Sequence, residues 1–338
     1  MRRKILIFLT VSALALGLFI KPYYDFLGQI TGVSPLKILF LSGNYKKNNN
    51  RVNLIILGKA GSWHDGPNLT DSIAVASFDL KRKNITLISI PRDIWSDTLR
   101  DKINSAYAYG EAKMKGGGIK LAKAEIGAVV GFPISYGIVV DFDKFQNIVD
   151  FLGGIDINVR TGFVDNKYPI SGREADDCDG DPDYKCRYET IKFNAGWQHF
   201  DGQTALKYLR SRNAQGSEGT DFARTNRQQQ VINAITTKII KIIKTYNLAK
   251  IKKLYSLINN SIERDIINED SAYIAKNLIF GVKINEVALS EDLFIVPRKQ
   301  NYYGKYVLTP KDGDYSSIHR FISCILNSAL SQCESDKN

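Results

Sequence analysis

The chain has 338 residues, 44% of them hydrophobic and 24% charged, and carries a formal net charge of +11. That composition is ordinary for a globular protein able to bury a sizeable core, in one large domain or two smaller ones, and no repeat or low-complexity tract is evident. The positive charge is spread along the chain, with local runs at 81–83 and 238–253, so it points to anionic partners without choosing among a membrane, a glycan phosphate and nucleic acid. Nucleic-acid binding would need a basic helix-turn-helix or an aromatic and basic platform; neither is found, so no nucleic-acid partner is expected.

At the N-terminus, Arg2, Arg3 and Lys4 precede an apolar run over 5–20 that is broken only by Thr10, Ser12 and Gly17 and closed by Lys21 and Pro22. As a helix this run spans roughly 24 Å, slightly short of a hydrocarbon core of about 30 Å, and local thinning with snorkelling of the flanking lysines makes up the difference. The basic cluster predicts a cytoplasmic N-terminus and places everything after Lys21 outside the cell membrane, as a single-pass protein. A cleaved signal peptide is the rival, but no small-x-small site follows the run. The four cysteines suit an oxidising compartment: Cys178 with Cys186 and Cys324 with Cys333 read as two local disulfides. Residues 22–50 read as a stem, of which 26–41 either lies on the membrane surface or passes back into it.

From Val52 the pattern is that of an α/β domain. The run VNLIIL at 52–57 is a strand buried on both faces. Further strands are expected at 72–79, 85–90, 134–140 and 155–159, and helices at 103–115, 118–130 and 142–152, the last closed by Gly153-Gly154. Residues 161–190 form an acidic insertion whose aspartates lack the spacing of a calcium loop, so it reads as a solvated loop closed by its disulfide. Beyond it, helices are expected at 229–247, 251–257, 271–278 and 316–330, with strands at 286–289 and 293–296. The fold class is α/β, a layered α/β/α sandwich with a central mixed sheet.

The chemistry gathers in DGQTALKYLRSRNAQGSEGTDFARTNRQQQ at 201–230. Arg210 and Arg212 alternate, so an extended LKYLRSR sends both from one face; Arg224 and Gln228 are four apart on an opening helix and share a face. Converging guanidinium forks suit a phosphate or pyrophosphate. Asp71 stands at a strand edge after a glycine-containing loop holding His64 and Asp65, a place for a hard cation such as Mg2+. Arg92 and Asp93 follow a strand end, where open α/β sheets place ligands, and Lys102 comes nine residues later.

In order, NLIILG at 53–58, HDGPNLTDSI at 64–73, SIPRD at 89–93, KINSAYAYG at 102–110, FLGGIDINV at 151–159, GWQHFDGQTALKYLRSR at 196–212 and DFARTNRQQQ at 221–230 make the chain resemble the LytR-CpsA-Psr family of extracytoplasmic glycopolymer transferases. The resemblance covers roughly 52–245. It implies a phosphotransferase that moves a glycopolymer, such as a teichoic acid or capsule, from a polyprenyl-pyrophosphate carrier to peptidoglycan through a phosphodiester. It implies Mg2+ on Asp71, and catalytic roles for Arg92, Arg210, Arg212, Arg224 and Gln228. Lys102 and Arg227 are the further substrate-binding candidates. Many relatives carry an arginine where this chain has Leu69 and an acid just after the first strand, where it has Gly58-Lys59. Asp65 is the candidate second metal ligand, with Asp93 and Asp79 behind it, and Asp93 or Asp221 the candidate base. On this reading residues 1–21 are tail and anchor, 22–50 stem, 51–247 the catalytic domain and 248–338 an α/β extension packed on or continuing it. Two other readings stay open: a hydrolase of pyrophosphate-linked lipids and a non-catalytic polyprenyl-phosphate-binding regulator.

Overall fold

The structure is a computed structural model that describes residues 2–40, 46–48, 50–59, 66, 68–170, 172–173, 176–278, 283–289, 291–327 and 333. The N-terminal helix α1 (Arg2–Thr31) does not end at Lys21 but runs on through Pro22. Proline removes one donor from the ladder, and tertiary packing supports the segment beyond it. Phe26 is buried, edge-on to Tyr255 at 5.9 Å and under the Lys252 ammonium at 5.5 Å. The short α2 (Pro35–Phe40) is tied down by Lys276, whose Nζ donates to the carbonyls of Ile38 at 2.9 Å and Leu39 at 3.1 Å. The stem is therefore packed partly onto the C-terminal helices. No helix among the described residues is long and apolar enough to cross a membrane, so the structure does not show the anchor expected over 1–21.

The apolar run at 52–57 becomes the middle of a sheet. β1 (Arg51–Lys59), β2 (Thr70–Asp79) and β3 (Asn84–Ser89) form an antiparallel meander. After the short pair β4 (Trp95–Ser96) and β5 (Asp101–Lys102) come α3 (Ala106–Lys113), α4 (Gly117–Val130), β6 (Tyr136–Asp141), α5 (Phe142–Phe151) and β7 (Ile155–Val159). α5 ends at Gly153 and Gly154, whose φ of 74° and 79° lie in the left-handed region that a side chain disfavours.

The insertion differs from the expected loop. β8 (Phe163–Pro169) pairs antiparallel with β9 (Tyr188–Phe193) across a bulge. Phe163, Tyr168, Ile191 and Phe193 are buried, so one face of the insertion's stem is core, while its other face and the tip are solvated. The Cys178–Cys186 disulfide closes that tip, and Cys324–Cys333 forms as expected. In the tip, Asp176 and Asp181 accept from the amides of Cys178 and Asp183 at 2.9 and 3.0 Å. Then follow β10 (Gly196–Phe200), α6 (Gly202–Arg210), α7 (Asp221–Lys244), α8 (Leu248–Ser261), β11 (Ile262–Arg264), α9 (Asn268–Leu278), β12 (Lys283–Ala288), β13 (Phe294–Ile295), β14 (Thr309–Pro310) and α10 (Ser316–Asn327).

Among the described residues the central sheet is mixed, in the order β11-β6-β1-β2-β3-β12. β1 runs parallel to β6 and antiparallel to β2, and β12 runs parallel to β3. Both edge strands come from the C-terminal extension, which thus completes the sheet. One face of β1 sends Ile55 and Leu57 into a core with Tyr107 of α3, Ile126 of α4 and Ile318 of α10. The other sends Val52 and Leu54 against Ile266 and Ile274 beside and within α9. This two-sided burial explains the unbroken apolar run; each such side chain contributes about 1.5–3 kcal/mol. A second core joins α5, β7, β8, β9, β10, α6 and the middle of α7. The functional residues lie where the two cores meet.

Candidate active site

Each site residue is placed by an element end. Asp71 is the second residue of β2. Pro91 ends β3, and the backbone after it is pinned: Asn104 N donates to Arg92 O at 3.3 Å and Leu308 N to Asp93 O at 2.9 Å. α6 is a helix through Arg210, not the extended run expected from LKYLRSR. Asp201 caps it, accepting from Thr204 N at 2.7 Å, and Ala205, Leu206 and Leu209 form its buried stripe. The chain breaks at Ser211, so Arg210 and Arg212 reach the same cleft from a helix end and a loop.

Asp165 of β8 holds that loop. Its side chain is fully buried and its Oδ2 accepts from Ser211 Oγ at 2.7 Å, Arg212 N at 3.2 Å and Asn213 N at 3.1 Å. Oδ1 accepts from Lys167 N at 3.0 Å. Sequence reasoning missed this residue; its signal was a lone acid in an otherwise half-apolar strand. α7 opens with Thr220 as cap, its hydroxyl accepting from Ala223 N at 3.1 Å, and presents Arg224 and Gln228 to the cleft.

Asp71 is the centre of the arrangement. Its Oδ1 accepts from Arg92 Nη1 and its Oδ2 lies 3.0 Å from Arg212 Nη2, while its carbonyl accepts from Arg224 Nη2 at 3.3 Å. Asp93 lies 2.6 Å from Lys102 Nζ and 3.4 Å from Arg92 Nε. Two arms adjoin here and share Arg212 and Arg224. One is lined by Asp71, Tyr168, Pro169, Leu209, Arg210 and Gln228 among others. The other is lined by Arg92, Asp93, Lys102, Gly219, Thr220 and Tyr306. Among the described residues the linings together hold five cations (Arg92, Lys102, Arg210, Arg212, Arg224) and two carboxylates (Asp71, Asp93). Burial, with Arg224 and Arg92 nearby and Asp71 opposing them, lowers the Arg212 guanidinium to about 10. It remains a cation at neutral pH, in a place that welcomes an anion.

The structure thus brings together Asp71, Arg92, Asp93, Lys102, Arg210, Arg212, Arg224 and Gln228. Arg227 is not among them, contrary to the substrate-binding expectation. It is buried, donating to Glu218 Oε2 at 2.8 Å and to Ser211 O at 2.9 Å, with Phe163 against its guanidinium at 4.7 Å. Asp221 is the first residue of α7, and its side chain lies outside the described ones, as do His64 and Asp65. Asp79 ends β2 away from Asp71 and pairs with Arg51 at 3.4 Å, which removes it from the ligand candidates. Lys59, the last residue of β1, is held by Glu263 at 3.0 Å and Asp141 at 3.7 Å. For a divalent cation, Asp71 offers the hard oxygen that Mg2+ takes, with substrate phosphate able to complete the shell. Among the described residues no group of three or more His, Cys, Asp or Glu ligands gathers in the cleft.

Comparison with known proteins agrees with the motif reading. The chain matches the LytR_cpsA_psr family over residues 33–315. It is 31% identical over 245 residues to the polyisoprenyl-teichoic acid–peptidoglycan teichoic acid transferase TagV of Bacillus subtilis (strain 168), a match covering 69% of this chain and 55% of TagV. It therefore spans about half the length of that relative. It is 28% identical over 279 residues to the regulatory protein MsrR of Staphylococcus aureus (strain Mu50 / ATCC 700699), covering 81% of this chain and 72% of MsrR. The crystal structure of B. subtilis TagV superposes with a TM-score of 0.55 at 23% identity, covering 84% of this chain and 100% of that one. The structure of YwtF (TagT) with bound octaprenyl pyrophosphate lipid gives 0.50 at 18% identity, covering 83% and 92%. These likenesses show a common fold, and with the family match over most of its length the chain belongs to the LytR-CpsA-Psr family.

Proposed function

We propose that the protein is a phosphotransferase that moves a glycopolymer from a polyprenyl-pyrophosphate carrier to peptidoglycan. The observation that carries this reading is the set of arginines that converge beside Asp71, with Arg212 and Arg224 shared by two adjoining arms of the cleft. A pyrophosphate has two substituents and needs such a junction; a lone carboxylate or a single phosphate does not. The names of relatives support the same chemistry: TagV is called a teichoic acid transferase and TagT was solved with a pyrophosphate lipid.

In the reaction, an acceptor hydroxyl oxygen forms a bond to the phosphorus that bears the sugar. The bond from that phosphorus to the bridging oxygen breaks, and polyprenyl phosphate leaves with the electron pair. Arg92, Arg212 and Arg224 stabilise the charge that develops on the non-bridging and leaving oxygens. Arg210 and Gln228 orient the phosphate from the other wall. Asp93, whose carboxylate lies beside Lys102, takes the hydroxyl proton as the new bond forms. Asp71 would hold Mg2+, which when bound supplies further charge neutralisation. The apolar run over 5–20 would keep the domain on the outer side of the cell membrane, where the lipid-linked substrate and peptidoglycan meet.

The test uses the full chain in detergent micelles, because residues 22–40 pack partly onto the C-terminal helices. It is given a polyprenyl-pyrophosphate oligosaccharide, Mg2+ and a peptidoglycan fragment, and products are read by mass spectrometry. A phosphodiester adduct that disappears with Arg212→Ala is the expected result. Free sugar phosphate without adduct would make the protein a hydrolase, and lipid binding without turnover a binding protein.

A further inference from the structure

The end of α7 and the start of α8 carry a surface that neither the core nor the cleft uses. Between Asp221 and Glu263 the chain has no acidic residue, and 238–253 holds six lysines. Lys238 is answered by Asp156 at 3.0 Å, and Lys252 and Lys253 lie over the rings of Phe26 and Phe151. Lys241, Lys244 and Lys250 are exposed, and among the described residues no carboxylate pairs with them. The isoleucines of α7 divide between two sides. Ile239 and Ile242 turn into a small core with Ile148, Leu152 and Leu254, whereas Ile240 and Ile243 stay 45% and 50% exposed. Tyr246, in the turn that follows, is 69% exposed. Exposed apolar side chains interleaved with lysines are the composition of an interfacial helix.

This turn adjoins α1. Tyr23 Oη donates to the Tyr246 carbonyl, and the Phe19 ring lies 5.7 Å from that of Tyr23. Leu16, Leu18, Phe19 and Ile20 are all exposed, so α1 reaches the turn as an apolar surface. Its own charges there, Lys21 and Asp25, pair with each other at 3.4 Å.

We propose that the α7–α8 turn is a membrane-docking surface, in which Ile243 and Tyr246 enter the headgroup region and Lys241, Lys244 and Lys250 meet anionic phospholipid headgroups. The proposal rests on the reading of 5–20 as an anchor, which brings the bilayer to the level of Tyr23 and therefore of Tyr246. Tyrosine suits that level, with an apolar ring and a polar tip. Charge complementarity selects anionic over neutral lipid. The exposed isoleucines select a lipid surface over a soluble polyanion, which would leave them in water. A single helical anchor lets a domain swing about its exit point; a second contact beside that point holds the domain in one orientation on the bilayer.

The full chain is incorporated into nanodiscs of phosphatidylcholine alone and of phosphatidylcholine with phosphatidylglycerol, and hydrogen exchange over 240–250 is read by mass spectrometry. Exchange is expected to slow about fivefold or more in the anionic discs, the factor that one lysine contributes at an anionic surface. The difference should vanish in the triple variant Lys241→Gln, Lys244→Gln, Lys250→Gln, and at high salt. Equal exchange of the wild type in the two discs, or a triple variant that keeps the difference, overturns the docking surface alone. Equal slowing by soluble polyphosphate in neutral discs makes the patch a polyanion site and overturns it as well. A chain that enters neither disc overturns the anchor and the docking surface together. The transfer chemistry of the cleft is independent of each of these outcomes.

Discussion

Arg224 and Arg227 stand three residues apart on one helix and belong to two different kinds of site. Around Arg227 a carboxylate, a carbonyl and an aromatic face meet one guanidinium beside the second core. Arg224 instead lines an open cleft which, among the described residues, it shares with Arg92, Lys102, Arg210 and Arg212 and with the carboxylates of Asp71 and Asp93. A paired, buried arginine fixes a fold; a cluster of converging ones with charge to spare is built for an anion that arrives from outside. Helical spacing alone does not separate the two cases, because what decides is which elements close over each position.

The largest effect should come from the cleft. Arg212→Ala is expected to lower transfer by about 10²- to 10³-fold, the range for losing one preorganised donor to developing charge, while thermal melting shows a protein as stable as wild type. Arg227→Met should reverse the pattern. It leaves the Glu218 carboxylate, itself mostly buried, without its cation, and should cost about 3 kcal/mol of stability in denaturant titration, with the folded fraction still binding pyrophosphate lipid. Equal stability of the two variants would erase the distinction. Asp165→Asn is intermediate: an amide cannot accept all the donors of the 211–213 loop, so about 1–3 kcal/mol is lost, and kcat should fall more than KM rises because Arg212 is misplaced without being removed. The smallest effect is expected from Lys102→Met, which frees Asp93 of one partner. It should lower transfer about threefold, a fraction of the energy of a charge-assisted hydrogen bond, without touching stability.

Much of the scaffold was legible from local pattern. VNLIIL reads as a doubly buried strand because both faces of β1 are covered by helices, and SIPRD reads as a strand end because proline stops a ladder. What misled was ambiguity of period and distance in sequence. LKYLRSR alternates like a strand, yet Ala205, Leu206 and Leu209 also suit a helical stripe, and the Asp201 cap decided for the helix. β8 was hidden by Asp, Asn, Lys and Pro within FVDNKYP and by the bulge between Asp165 and Tyr168. Its buried acid serves a loop 46 residues away, and Tyr306 serves a motif more distant still; nothing local announces either. Arg227 was read with its neighbours because its motif is basic, and only the packing of Glu218 and Phe163 sets it apart.

The most direct measurement is a crystal structure of the full chain with octaprenyl pyrophosphate. The account predicts the diphosphate within hydrogen-bond reach of Arg212 and Arg224. A diphosphate bound away from these arginines would contradict it.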